Sequence, residues 1–271
     1  IAPSAAVGDE CRRALVRRVG RLRSRGRVVV IPHGVPLPDR NQLEAKLARP
    51  PGEPLQLVAA TRLHEDAKRP WDYLAIAREL VRRGLKFHLA ILGGGPCLEP
   101  MRQAVAAENL AGFVELTGAV ARGDVLRRLL AADVLLAAAD REAYGLSIAE
   151  ALACGCAVVS SDLPGAVAEM VRDDATGFRV PVGNVAAFAD AIARLCRDPG
   201  RLRRLGAEGA RAVAESRSES AMAVAYARVI RQAAPRIARR TWVPPAELAD
   251  TPARALAAKK GFWHTAIGSG R

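Results

Sequence analysis

Two glutamates with seven residues between them are the sharpest chemical feature of this 271-residue chain. They bound the segment Glu142-Ala-Tyr-Gly-Leu-Ser-Ile-Ala-Glu150, which joins an apolar run to a predicted helix. The N–H groups of residues 145–148 would open that helix, where hydrogen bonding and the helix dipole both favour a phosphate. Gly145 would give the backbone room to approach a ligand, and Leu146 and Ser147 would add their amides. Two carboxylates beside a phosphate repel it unless they hold hydroxyls or stabilise positive charge. A sugar supplies both needs through ring hydroxyls, a ribose diol and an oxocarbenium-like transition state. Plainer alternatives stand beside this. Ser147-Ile-Ala-Glu150 has the spacing of a capping box, with Glu150 returning to the N–H of Ser147. Glu142 could be an exposed loop acid.

Three other loops offer chemistry. Thr61-Arg62-Leu63-His64-Glu65-Asp66-Ala67-Lys68-Arg69 carries Arg62 and Lys68, two cations suited to a diphosphate. A solvated loop of mixed charge is the alternative. Gly93-Gly94-Gly95 follows an apolar run and could bring backbone close to a ligand, yet it completes no G-x-G-x-x-G or P-loop pattern. A tight turn into the next helix explains it equally well. Ser161-Asp162-Leu163-Pro164-Gly165, with Glu169 beyond, is ordinary turn chemistry.

The elements that must position these loops alternate regularly from Leu55 onward. Strands are predicted over Leu55–Ala60, Phe87–Leu92, Phe113–Leu116, Val134–Ala138, Ala157–Ser160 and Gly177–Val180. Helices are predicted over Trp71–Arg83, Leu98–Glu108, Asp124–Ala131 and Ser147–Cys154. This is the pattern of βαβ units and a doubly wound parallel α/β sheet, whose ligands sit beyond the carboxyl ends of the strands. Asn184 should cap a further helix carrying Phe188, Ile192 and Leu195, and two more follow at about 200–215 and 218–234. Upstream, a helix over Glu10–Gly20 and a strand over Arg27–Ile31 are expected. Residues 33–54 hold five prolines and have the composition of a linker. The tail 235–271 shows no clear period.

Composition narrows the partners. The formal net charge of +13 favours acidic ones: phosphorylated substrates, nucleic acid or an anionic membrane. Arg-rich, solvated helix faces would give the same number. The five cysteines form no C-x-x-C pair, so neither a disulfide framework nor a zinc site is indicated, and a reducing, cytoplasmic setting is the natural expectation. No apolar run reaches the length of a membrane span, and no signal peptide is expected. The chain starts at Ile1, not Met, and is expected to be a fragment.

Taken together, these loops resemble the GT-B glycosyltransferases, and among them the large retaining family 4. The resemblance runs from about Val28 to about Gly209. After Glu142–Glu150 it continues through Ala151-Leu-Ala-Cys-Gly-Cys-Ala-Val-Val-Ser-Ser-Asp162, Pro164-Gly165, Glu169 and Asp173-Asp-Ala-Thr-Gly-Phe-Arg-Val180. Arg62 and Lys68 match the pair that clasps the donor diphosphate. The resemblance implies that Glu142 faces the donor sugar and supports the reacting centre. It implies that Gly145, Leu146 and Ser147 offer backbone N–H groups, that Glu150 holds the ribose, and that the loop from Thr117 to Val120 borders the base. Gly94 would join the donor site. No metal or cofactor is implied for donor binding.

Two departures matter. His33-Gly34-Val35-Pro36 stands where the family usually has Asn-Gly-Val-Asp. His33 lies in the linker, so a structural role is favoured over a catalytic base. The family's first domain, of roughly 150 residues, is expected to be mostly missing. Residues 1–40 are therefore expected to be its remnant and linker, 41–217 the nucleotide-sugar domain, and 218–271 a C-terminal helix and tail.

The expected activity is transfer of a sugar, with retention, from a nucleoside-diphosphate sugar to a hydroxyl acceptor. Lipid, saccharide and small-molecule acceptors all fit, and a basic surface fits peripheral contact with the inner face of a membrane carrying lipid acceptors. Two alternatives remain: a basic binding module for nucleic acid or protein, which lacks interleaved aromatics, and a GT-B sugar-nucleotide epimerase.

Overall fold

The computed structural model describes residues 1–19, 28–49 and 53–237. It divides into two compact units, Ile1–Tyr226 and Ala227–Arg271. The second is represented among the described residues by the end of the last helix.

Eleven helices and six strands are described. They run α1 (Ala5–Val19), α2 (Arg40–Ala48), β1 (Leu55–Ala60), α3 (Glu65–Lys68), α4 (Pro70–Arg82), β2 (Phe87–Leu92), α5 (Leu98–Ala107) and β3 (Val114–Gly118). Then come α6 (Arg122–Ala131), β4 (Val134–Ala137), α7 (Leu146–Ala153), β5 (Ala157–Ser161), α8 (Ala166–Met170) and β6 (Gly177–Val180). Helices α9 (Val185–Arg197), α10 (Pro199–Ser216) and α11 (Glu219–Ile237) complete it.

All six strands are parallel, in the order β3-β2-β1-β4-β5-β6. The order reverses between β1 and β4, and the carboxyl ends of those strands flank the crevice where such sheets bind ligands. Strand alternation sends Leu57, Ala59, Leu89, Ile91 and Val159 to one face, where they pack against Tyr73 and Ile76 of α4, Met101 of α5 and Phe188 of α9. Val58, Ala90, Leu135 and Val158 pack on the other face against Leu129 of α6 and Ile148 and Leu152 of α7. Burial on both faces is what a parallel sheet requires. At the β2–β3 side the second face is more polar, and Glu115 of β3 accepts two bonds from Arg128 of α6, at 2.7 and 2.9 Å.

The sequence expectations need several corrections. The first helix starts at Ala5, because Ser4 Oγ accepts the N–H of Val7 and opens it earlier. The expected strand at Arg27–Ile31 is only a bridge. Ala2 donates to Val29 O and accepts from Ile31 N, and residue 27 lies outside the described residues. A parallel strand needs a row of partners, and among the described residues Ala2 alone supplies one. Helix α3 arises inside the expected loop 61–69, and α8 follows directly on the expected turn at 161–165. The tail beyond residue 237 lies outside the described residues.

The linker expectation is also corrected, because 33–54 contains α2. No residue of α2 is fully buried, and its apolar stripe is only the half-buried pair Leu43 and Leu47 against Gly155, too short to announce it. Local chemistry builds it instead. Asp39 Oδ1 accepts the N–H groups of Asn41 and Gln42, a side-chain N-cap. Lys46 then donates from Nζ to Leu129 O at 3.0 Å and Ala132 O at 2.6 Å, at the carboxyl end of α6. It also reaches Cys156 Sγ at 3.2 Å. An ammonium group here satisfies terminal carbonyls and complements the helix dipole. Lys46→Met should therefore destabilise the chain by about 1–3 kcal/mol in urea denaturation. A loss below a few tenths would mean that α2 is only laid against α6.

Candidate active site

The loops after β1 and β4 meet over the switch point. Asp140 N donates to Ala67 O and Arg141 Nη2 to Asp66 O, both at 3.0 Å. These bonds hold the two loops side by side, and Lys68, at the end of α3, meets Glu142 there. Lys68 Nζ and Glu142 Oε2 form an ion pair in which both side chains are about four-fifths buried. The second oxygen, Oε1, accepts the N–H of Tyr144 at 3.4 Å. A cation and a carboxylate from separate loops thus share one small volume at the carboxyl edge of the sheet.

Next to it α7 begins at Leu146. Gly145 is its N-cap at φ +89°, a left-handed conformation that suits glycine. A Cβ there would also crowd Ile148 Cδ1 at 3.2 Å and Met170 Cε at 3.3 Å. Having no side chain, Gly145 makes no cap bond, and the first intrahelical bond runs from Ala149 N to Gly145 O. The amides of Leu146, Ser147 and Ile148 therefore have no acceptor among the described residues. They form a ready anion site beside Lys68.

The capping-box alternative for Glu150 fails. The helix opens at Leu146, so Ser147 already lies inside it and Glu150 has no cap to complete. Glu150 instead borders a hollow of about 370 Å³ lined by Pro36, Arg122, Val125, Leu126 and Leu129. It has no hydrogen-bond or ion-pair partner among the described residues. Burial raises its carboxyl above the ordinary value, with Arg122 opposing. For a raised carboxyl the sign is definite. The folded chain holds the proton more tightly than the unfolded chain, so stability present at low pH is lost as pH rises through the raised value. Glu150→Gln should accordingly raise the urea midpoint at neutral pH and leave it unchanged below the ordinary carboxylate range. A midpoint that falls at neutral pH would show that the carboxylate is satisfied in the fold.

The other predicted site residues are placed less uniformly. Arg62 is exposed, and its guanidinium has no partner among the described residues. Thr117 lies on the edge strand β3, separated from β1 by β2, and its hydroxyl is aimed at the carbonyls of Ile91 and Gly118, at 3.2 and 2.9 Å. In the glycine run, the turn explanation fits Gly93, where a Cβ would sit 1.8 Å from Thr61 O. Gly94 has its nearest such neighbour, Ala119, at 3.7 Å, and its carbonyl accepts from Leu63 N at 3.0 Å. The run thereby locks the loop after β2 onto the loop that carries Arg62. His33 stacks edge-on against Tyr144 with ring centroids 4.7 Å apart, and its carbonyl accepts the Tyr144 hydroxyl at 2.9 Å. Those contacts fit the structural role. Glu169 is likewise structural, accepting Ala5 N at 2.9 Å and Arg217 Nη2 at 3.1 Å.

Two features escaped the sequence. Arg69 ties the site loops together, and α6 borders the hollow under Glu150. The second had a signal in the apolar spacing of Val125, Leu126, Leu129 and Leu130; Val125 and Leu126 are only half-buried and line the hollow.

Comparison with known proteins decides the family. The sequence profile described as "Glycosyl transferases group 1" matches residues 39–212. The chain belongs to this glycosyltransferase family. The match includes the loops that carry Arg62, Lys68, Gly94, Thr117 and Glu142–Glu150. The chain is 33% identical over 194 residues to the D-inositol 3-phosphate glycosyltransferase of Nocardia farcinica, covering 67% of this chain and 42% of that protein. It is 33% identical over 166 residues to a GDP-mannose-dependent alpha-(1-6)-phosphatidylinositol monomannoside mannosyltransferase of Mycobacterium tuberculosis, covering 58% of this chain and 42% of that one. The chain thus spans less than half the length of these relatives. Among solved structures, the sucrose-phosphate synthase of Thermosynechococcus elongatus matches at TM-score 0.66 and 24% identity, over 83% of this chain and 57% of that one. The pneumococcal O-GlcNAc transferase GtfA, in complex with UDP and GlcNAc, matches at TM-score 0.66 and 19% identity, over 83% and 44%.

This glycosyltransferase-family chain therefore has the Rossmann-like, doubly wound fold of a GT-B domain. Its basic charge does not require nucleic acid. Several arginines are tied in short-range pairs on helix faces, including Arg82 and Arg83 with Glu79 and Arg211 with Glu208. Among the described residues no helix is long and apolar enough to cross a membrane.

Proposed function

We propose that this chain carries the donor site of a retaining glycosyltransferase that moves a sugar from a nucleoside diphosphate to a hydroxyl acceptor. The observation that carries this reading is the Lys68–Glu142 pair astride the β1–β4 switch point, beside the acceptor-free amides of α7. Lys68 and Arg62 neutralise the diphosphate, and the opening amides of α7 bind its oxygens or the sugar. Lys68 then leaves Glu142 for the phosphate. The released carboxylate faces the donor sugar and stabilises positive charge developing at the reacting carbon. Glu150 holds the ribose diol, and the hollow bordered by Val125 and Leu126 lies alongside it. Donor binding needs no metal in this scheme, because the cations and the helix dipole supply the positive charge. The names of the relatives, which include inositol 3-phosphate and phosphatidylinositol monomannoside, support a small-molecule or lipid-linked acceptor, met at a membrane surface in the lipid case.

Calorimetric titration of the chain with UDP, GDP, ADP and dTDP sugars tests the donor reading. At least one should bind, and the same donor should lose affinity for Glu150→Ala. Absence of binding by every donor removes the assignment. In any preparation that turns over, NMR of the product should show the anomeric configuration of the donor, and an inverted product would overturn retention.

A further inference from the structure

We infer that Arg69 is the positioning residue that sets Lys68 against Glu142, by tying three loops at the carboxyl edge of the sheet to one guanidinium. The proposal rests on the donor reading for its effect on ligand affinity, but the positioning itself can be tested without any ligand.

Arg69 is a non-glycine residue in the left-handed region, at φ +43° and ψ +54°. It ends α3 and starts α4, so the chain turns sharply directly after Lys68. That conformation is unfavourable for arginine and persists only where surrounding bonds fix it. The guanidinium supplies them. Nε and Nη2 donate to Asp72 at 2.6 and 3.3 Å, holding the first turn of α4. Nη1 donates to Asp140 at 3.0 Å, reaching the loop that carries Glu142. The loop after β6 lies against the same group, and a Cβ on Gly183 would come within 2.9 Å of Nη2. Arginine suits this task because its planar fork serves two carboxylates at once. Its neighbours on both loops, Lys68 and Glu142, point to each other across the bond it makes.

Arg69→Gly relaxes the backbone and removes the clamp together. Asp140→Asn weakens only the cross-loop bond. Lys68 is largely covered by its ion pair, so its acylation rate reports the register of the loops. In the ligand-free chain, labelling with an N-hydroxysuccinimide ester and peptide mass spectrometry should show Lys68 reacting roughly three- to tenfold faster in Arg69→Gly. Asp140→Asn should show a smaller rise, and Arg69→Lys, which keeps the charge but not the fork, should fall between. Lys86, distant and exposed, should react at an unchanged rate in all three. In parallel, titration with UDP and GDP should show weaker binding for Arg69→Gly by a similar factor. Unchanged Lys68 labelling in both Arg69→Gly and Asp140→Asn would overturn the inference. If Arg69→Gly does not fold, unchanged labelling in Asp140→Asn alone overturns it. Faster labelling together with a wild-type chain that binds neither nucleotide upholds the positioning role and removes the donor reading.

Discussion

Replacing Lys68 by alanine should weaken binding of a nucleoside diphosphate to this chain by roughly 10- to 100-fold, the range for one charge-assisted contact to phosphate. Two effects add. The ammonium that would meet the diphosphate is gone. The Glu142 carboxylate, about four-fifths buried, loses its partner and faces the incoming anion unneutralised. The double variant Lys68→Ala/Glu142→Gln separates these contributions. Removing the orphaned charge should recover part of the lost affinity, and the part not recovered belongs to the direct contact. Calorimetry with UDP or GDP, whichever binds the wild type, provides the measurement. Equal affinities for wild type and Lys68→Ala would place the diphosphate elsewhere.

The largest loss of stability is expected from Gly93→Ala. Gly93 sits at φ +142°, outside the range of alanine, and its added methyl would meet Thr61 O at 1.8 Å. The contact is with backbone at the end of β1, next to the Gly93 N to Gly118 O bond of 2.9 Å that joins the ends of β2 and β3. Neither partner can swing aside as a side chain could. Backbone strain and overpacking together should cost roughly 3–5 kcal/mol in urea denaturation. The effect should also reach function, because Thr61 precedes Arg62 and the loop must shift to admit the methyl. A cost below about 1 kcal/mol would mean that the loops after β1 and β2 slide freely. That freedom would be incompatible with a preformed donor site.

The sheet was legible because parallel strands buried on both faces leave mostly apolar runs. Leu55–Ala60 and Phe87–Leu92 show this, and both are strands with those limits. Helix α9 was equally plain, since Asn184 caps it and Phe188, Ile192 and Leu195 mark its buried stripe. Helix α2 was hidden for the opposite reason. Beyond the short contact of Leu43 and Leu47 on Gly155, it is held by Asp39 and by Lys46 reaching the distant carbonyls of α6, and neither of these has a local period. The strand expected near Val29 failed because an apolar run states what a strand would bury, not which partner it pairs with.

The site divides in the same way. Glu142, Gly145 and Glu150 were visible from their spacing within one strand-to-helix connection. The pairing of Lys68 with Glu142 spans 74 residues and follows from strand order, which puts β1 beside β4. Arg69 carried no signal at all. An arginine in a charged loop has no local mark of a left-handed backbone, and its carboxylate at Asp140 is 71 residues away. The competing explanation for Glu150 was local and was wrong by one turn position. Gly145, not Ser147, is the N-cap, so the glutamate projects to a hollow instead of returning to the backbone.

Hydrogen–deuterium exchange with and without UDP or GDP tests the location of the donor site most directly. The expected result is protection confined to the loop around Arg62–Lys68, the loop after Thr117, and the Glu142–Glu150 segment, with the opening amides of α7 most affected. Protection instead around the hollow of about 530 Å³ at the amino end of β2, where Leu85, Phe87 and Phe113 lie, would contradict it. So would nucleotide binding that leaves the amides of residues 145–148 exchanging at the ligand-free rate.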